Sequence, residues 1–202
     1  MNAAALSSSM QAIRKAFADS VAAKRTFLRE HGAAVETVAD LLVARFSEGS
    51  KLLLFGNGGS AADAQHIAAE FVNRFVIERP PLPAIALTTD TSALTSIAND
   101  YSYDEIFAKQ VRALGRPGDV AMAFSTSGTS PSVVKAVKEC RRLGIHTIGL
   151  TGGTGGKLRT LVDHWLNVSA SRETARIQET HILIGHVVCQ LVDAALYGGK
   201  KK

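Results

Sequence analysis

Apolar positions along the chain change their spacing near residue 50. Before that point they recur at helical intervals, with Val35, Val38, Leu41, Leu42 and Phe46 on one face. The pattern predicts two alanine-rich helices at about 4–30 and 32–47. Beyond it, short unbroken apolar runs alternate with helical patterns: "KLLLF" at 51–55, "PAIAL" at 83–87, "DVAMAF" at 119–124, "HTIGL" at 146–150 and "HWLNV" at 164–168. Strands without polar alternation are covered on both faces, as in a parallel sheet between helical layers. Helices are predicted between them near 60–74, 91–97, 103–114, 131–143 and 154–162. A last helix at about 174–197 is the most apolar and is expected to enter the core or meet another subunit.

The expected fold is α/β: a doubly wound, five-stranded, mainly parallel sheet flanked by helices, with an N-terminal helical arm. Residues 1–50 would form the arm, packing on the domain and on other subunits. Residues 51–197 would form the domain itself, and 198–202 a disordered basic tail.

Composition narrows the class. The chain has 202 residues, 46% hydrophobic and 20% charged, which suits one globular domain. The net charge of +5 includes Lys200, Lys201 and Lys202, and only +2 remains without them. No basic stripe with interleaved aromatics appears elsewhere, so nucleic acid is not an expected partner. No unbroken apolar run reaches the roughly 18 residues of a membrane span, and the first residues do not read as a secretion signal. A membrane partner is therefore not expected, and the cytoplasm is the expected location. Cys140 and Cys189 lie in helical patterns among apolar neighbours and read as buried thiols in a reducing compartment.

In a doubly wound sheet, ligands bind beyond the carboxyl ends of the strands. Three of the loops there suit an anion. Gly56-Asn57-Gly58-Gly59-Ser60 follows the first strand, with glycines free to turn backbone N–H groups inward ahead of a helix N-terminus. Ser125-Thr126-Ser127-Gly128-Thr129-Ser130 follows the third strand and ends in an N-cap serine before Pro131. Its five hydroxyls ahead of a helix dipole suit a phosphate monoester. Thr151 to Lys157 follows the fourth strand. Two nucleotide motifs fail: Gly56, Gly58 and Ala61 match a dinucleotide fingerprint without the acidic residue it needs, and Gly152–Lys157 is one residue short of a P-loop.

The helix after the first loop carries His66 and Glu70 one turn apart on one face. The apolar last helix carries Gln178, His181 and His186, polar groups that need partners or ligands when buried. Two imidazoles, a carboxylate and an amide oxygen make a Zn²⁺ donor set. Gln178 and His186, however, are eight residues apart, about 12 Å along a straight helix. Either that helix bends, or the residues come from different subunits, or only one is a ligand; a site at a subunit interface is favoured. His31, His146 and His164 have no such setting, and Asp63 is expected to favour the helix dipole.

"GNGGSAADAQHIAAEF", "TSIANDY", "STSGTSPSVVKA", "TGGTGGKL" and "RIQETHILIGHVVC" together resemble the phosphoheptose isomerases of the sugar isomerase (SIS) family. The resemblance runs from about residue 35 to 197 with the motifs in the family's order. It implies interconversion of sedoheptulose 7-phosphate and D-glycero-D-manno-heptose 7-phosphate, the first step towards the heptose of lipopolysaccharide core. It also implies a homotetramer with active sites between subunits and a zinc ion in each subunit. By matching motifs, His66, Glu70, Gln178 and His186 fall on metal-ligand positions. Asn57, Gly58, Gly59, Asn99, Asp100, Ser125, Thr126, Ser127 and Ser130 fall on substrate-contact positions, and Ser60, Glu70 and Gln178 are counted with them. Ala175 departs from the family, which often has Asp there.

The implied chemistry moves a proton between C1 and C2 through an enediol, with Glu70 as base and His186 as acid. A rival class is the non-catalytic, replication-initiator-associating SIS protein, which "ERPPLPAIAL" and "FAKQVRALG" also resemble. That group lacks the acid–base pair, and this chain keeps both Glu70 and His186.

Overall fold

The computed structural model describes residues 7–199. Five strands form one sheet in the order β2-β1-β3-β4-β5, where β1 is Leu52–Gly56, β2 Ala84–Ala86, β3 Val120–Ser125, β4 His146–Gly152 and β5 His164–Val168. Every pairing is parallel, with Leu52 opposite both Ala84 and Val120, so the sheet is parallel throughout. The chain leaves β1 for β2 on one side and then crosses to β3 on the other. That reversal opens a crevice at the carboxyl ends of β1 and β3, where the glycine and hydroxyl loops begin.

Helices α1 (Ser8–Ser47), α2 (Gly59–Val72) and α6 (Thr174–Tyr197) form one layer; α3 (Thr91–Asp100), α4 (Ile106–Leu114) and α5 (Pro131–Arg142) belong to the other. Successive residues of β1 serve both cores. Leu52 and Leu54 pack with Leu42, Ile67, Phe71, Ile184 and Val188, while Leu53 and Phe55 pack with Phe107, Val111, Val133 and Val137. This is why the strand is apolar without alternation. Cys140 and Cys189 are buried free thiols, and burial pushes that of Cys140 up to about 12.

Three elements differ from the sequence reading. The two predicted N-terminal helices are one 40-residue helix, which begins where Ser7 Oγ accepts from Met10 N at 3.3 Å. Gly32 costs such a helix only about 1 kcal/mol, and no proline interrupts it, so packing on α6 and β5 carries it through. The helix predicted at 154–162 is a turn followed by a short 3-10 segment, Leu158–Thr160. Gly153, Gly155 and Gly156 hold φ at +58°, +77° and +52°, and three left-handed residues cannot start an α-helix. The helix expected at 103–114 opens with a 3-10 turn, Tyr103–Glu105, before α4.

The absence of a membrane-length segment holds for unbroken apolar runs only. By length and composition α6 could cross a membrane, with a mean hydropathy of 1.3 in its most apolar 18-residue window. In this fold it is a core helix: Ile177, Ile184, Val188 and Val192 are buried against the sheet, α1 and α2, and His181 and Asp193 are buried with them. Residues 200–202 of the expected basic tail lie outside the described residues.

Candidate active site

The site is built where β1, β3 and β4 end. Gly58 has φ +57° and ψ −124°, a conformation that favours glycine, and it delivers the chain into α2 with backbone N–H groups at the helix start. Ser60 is buried just behind it. The hydroxyl loop folds onto the β4 loop. A Cβ on Gly128 would lie 1.9 Å from the Gly155 carbonyl oxygen, and Leu158 N donates to Gly128 O at 3.1 Å. Ser125 Oγ accepts from Gly128 N at 3.1 Å, and Ser127 Oγ accepts from Thr129 N at 3.2 Å.

Ser130 sits at the N-cap of α5, with Pro131 at the first helical position, but makes no cap bond with its side chain. Its hydroxyl instead accepts from Asn57 Nδ2 at 2.8 Å, and the same amide nitrogen donates to Ser132 Oγ at 2.9 Å. Tyr103 O–H in turn donates to Asn57 Oδ1 at 3.0 Å. Thr126, Ser127, Gly153, Thr154, Arg172 and Thr174 line an adjoining cavity of about 300 Å³.

The second half of the site lies between α2 and α6. His66 Nε2 stands 2.8 Å from His186 Nε2 and 3.2 Å from Glu70 Oε1. Ligand atoms of all three lie within 4.8 Å of one another. Close approach of the helices depends on Gly185, where a Cβ would lie 2.4 Å from Ile67 Cδ1. Phe75 stacks on the His186 ring, 5.4 Å between centroids and 21° between planes. Two imidazole nitrogens and a carboxylate at this spacing could hold a divalent metal ion.

One chain thus brings together His66, Glu70 and His186, with no second subunit needed. Gln178 stands apart: its side chain lies against Gly59, where a Cβ would be 2.6 Å from Gln178 Nε2. Asn57, Ser130 and the hydroxyl loop join into one cluster. Asn99 and Asp100 end α3 exposed, and Asn99 Nδ2 donates to Asp100 Oδ1 at 2.9 Å. Ala175 is exposed in the first turn of α6.

Other polar groups frame the site. His181 is fully buried and bonds Thr151 O at 3.0 Å; burial pushes its pKa down to about 4, so the ring is neutral. It supports the β4 loop from beneath. Asp63 lies beyond the first turn of α2, which holds no acidic residue, so the dipole reading of it does not stand. Burial pushes its carboxyl up to about 6, against the opposing effect of His66. His31 stacks on Phe27 and sets an edge against Trp165, a packing role.

Sequence reasoning missed Arg79, Tyr103 and Ser132. The Arg79 guanidinium is buried, donating to Asp193 Oδ1 at 2.7 Å on α6 and to the carbonyls of Glu70 (2.8 Å) and Phe71 (2.7 Å) at the end of α2. It ties together the two helices that carry the triad. No local spacing marks a loop arginine as buried; only its distant partners do.

The SIS domain family matches residues 16–152. A phosphoheptose isomerase of Thermodesulfovibrio yellowstonii is 52% identical over 193 residues, covering 94% of this chain and 96% of that one. Among solved structures, the phosphoheptose isomerase GmhA of Neisseria gonorrhoeae superposes with a TM-score of 0.86 at 45% identity, over 92% of this chain and 98% of that one. A phosphoheptose isomerase from Francisella tularensis gives 0.89 at 40% identity, with the same coverage of 92% and 98%.

Proposed function

We infer, from the premise that this chain belongs to the SIS domain family and within it to the phosphoheptose isomerases, that His66, Glu70 and His186 are the reaction centre of its heptose 7-phosphate chemistry. The enzyme interconverts sedoheptulose 7-phosphate and D-glycero-D-manno-heptose 7-phosphate, the first step towards lipopolysaccharide core heptose. The observation that carries the assignment is the convergence of the Glu70 carboxylate and the His186 ring, with ligand atoms within 4.8 Å, where Glu70 stands on the helix that the glycine loop opens.

Starting from the ketose, Glu70 takes a proton from C1 while His186 gives one to the carbonyl oxygen on C2, which leaves a neutral enediol. Return of a proton to C2, with loss of the proton on the C1 oxygen, forms the aldehyde. Ser125, Thr126, Ser127 and Ser130 hold the phosphate at the N-terminus of α5, and that anchor fixes the distance from phosphate to reacting carbons. Gly58 and Gly59 present backbone N–H groups at the start of α2, where Ser60 N donates to Asn57 O at 3.1 Å, and Asn57, Ser60, Asn99, Asp100 and Gln178 are assigned to the sugar. Zn²⁺ fits the donor set of His66, Glu70 and His186, one ion in each subunit, and when bound it would polarise the sugar oxygens. Gln178 of the same chain lies towards Gly59, which suits the sugar. A zinc bond from Gln178 would require a bend in α6 or a copy from another subunit.

An apolar stripe on α1, including Ile13, Phe17 and Leu28, and another on α6, with Leu183, Val187 and Leu191, are exposed on the single chain. Between the two helices runs an apolar groove of about 570 Å³. These surfaces support a homotetramer with sites at subunit boundaries. The cytoplasm is the compartment that suits its reduced thiols.

A non-catalytic phosphosugar-binding regulator is not favoured, since it would have no use for the Glu70–His186 pair. The deciding experiment incubates the purified protein with sedoheptulose 7-phosphate, with and without chelator, and follows the C1 aldose signal by NMR. Binding of the sugar phosphate with no aldose formed would overturn the reading.

A further inference from the structure

Tyr103 belongs to none of the motifs that point to the isomerase, yet it touches the centre of the phosphate-side cluster. It stands on the 3-10 turn after α3, exposed over the crevice, with its hydroxyl 3.0 Å from Asn57 Oδ1. Asn57 lies between this turn and α5, and its amide can face either way. The tyrosine hydroxyl can donate to Oδ1 or accept from Nδ2, so it holds the amide in place in either orientation.

With Oδ1 held by the tyrosine O–H, Nδ2 faces Ser130 Oγ at 2.8 Å and Ser132 Oγ at 2.9 Å. Both serines then accept from the amide. Ser132 is buried, and the hydroxyl oxygen within its reach is that of Ser130, at 3.4 Å. Either hydroxyl can donate in that contact, so what Asn57 fixes is the position of both serines. Ser130 stands at the N-cap of α5, where the helix dipole favours an anion.

We propose that Tyr103 is a positioning residue: its hydroxyl bonds the Asn57 amide and through it holds Ser130 and Ser132 in place for the substrate phosphate at the N-terminus of α5. The same bond links the α3 side of the crevice, which carries Asn99 and Asp100, to the hydroxyl loop. The proposal rests on the phosphosugar reading of the site and adds a residue to its recognition.

Tyr103→Phe keeps the ring on an exposed turn and removes only the hydroxyl. The test measures steady-state kinetics with sedoheptulose 7-phosphate, together with the affinity for inorganic phosphate by calorimetry. The expected result is a rise of about 3- to 10-fold in both KM and the phosphate dissociation constant, the size of one lost hydrogen bond, with kcat within about two-fold. Because the tyrosine acts through Asn57, Asn57→Ala/Tyr103→Phe should be no worse than Asn57→Ala alone. Unchanged phosphate affinity in Tyr103→Phe, or effects that add in the double variant, would overturn the proposal. A wild-type protein that binds phosphate but forms no aldose would instead overturn the isomerase reading, and the phosphate arm would still decide the role of Tyr103.

Discussion

His66 and His186 are separated by 120 residues of chain, and their Nε2 atoms lie 2.8 Å apart. At that distance one ring must donate and the other accept, so the pair holds a single proton between them unless an ion replaces it. Glu70 lies 3.2 Å from the His66 nitrogen and supplies the anionic partner that two imidazoles need if either is charged or metal-bound. In the proposed mechanism the same few atoms would serve both the metal ion and the proton transfer.

Glu70→Gln keeps the side chain's shape and removes its basicity. Turnover of sedoheptulose 7-phosphate should fall by about 10²- to 10⁴-fold, the range expected on loss of a general base, with the oligomeric state unchanged. NMR turnover assays with light scattering on the same sample check both halves. Residual activity within ten-fold of wild type would remove Glu70 as the base.

His66→Ala removes one of three clustered donors. The metal content of the purified protein, read by atomic absorption, should fall well below that of the wild type, and added zinc should restore little activity. Glu70 and His186 alone leave too few ligands for tight binding. Undiminished zinc would place the ion elsewhere.

Arg79→Ala should destabilise the fold by about 3–5 kcal/mol, because it leaves Asp193 charged and buried without its partner. Urea unfolding measures this. Arg79→Met combined with Asp193→Leu removes both charges and should recover much of the loss. Since the guanidinium also holds the Glu70 carbonyl, the double variant should still bind metal less tightly than the wild type.

Two buried groups give stability opposite pH dependences. His181, held down to about 4, is neutral in the fold, while the unfolded chain takes up a proton from near pH 6.5 downward. Its contribution is therefore complete above about pH 6.5 and is lost as pH falls towards 4. Asp63, held up to about 6 by burial, binds its proton in the fold before the unfolded chain does. It adds stability as pH falls from about 6 towards 4. Asp63→Asn removes only the second effect, so its stability should drop more steeply on acidification than that of the wild type, and it should be more stable above about pH 6. Unfolding midpoints at pH 5 and pH 7.5 read both signs.

The sequence alone determined the layered α/β architecture, since unbroken apolar runs in strands of this length occur only where both faces are covered. It also placed the glycine and hydroxyl loops at the strand ends, because glycine, serine and proline at a strand-to-helix turn act through local backbone geometry. The i, i+4 pairing of His66 with Glu70 was legible for the same reason: contacts within one helical turn are written in spacing. The tertiary structure decided what spacing cannot express. It carried α1 straight through Gly32, replaced a predicted helix by left-handed glycines, and brought His186 rather than Gln178 to the His66–Glu70 pair within one chain. Which turn of α6 meets α2 depends on the close contact of Gly185 with Ile67 and on Arg79 binding both helices. Those contacts join residues far apart in sequence, and their energy exists only once the layers have packed.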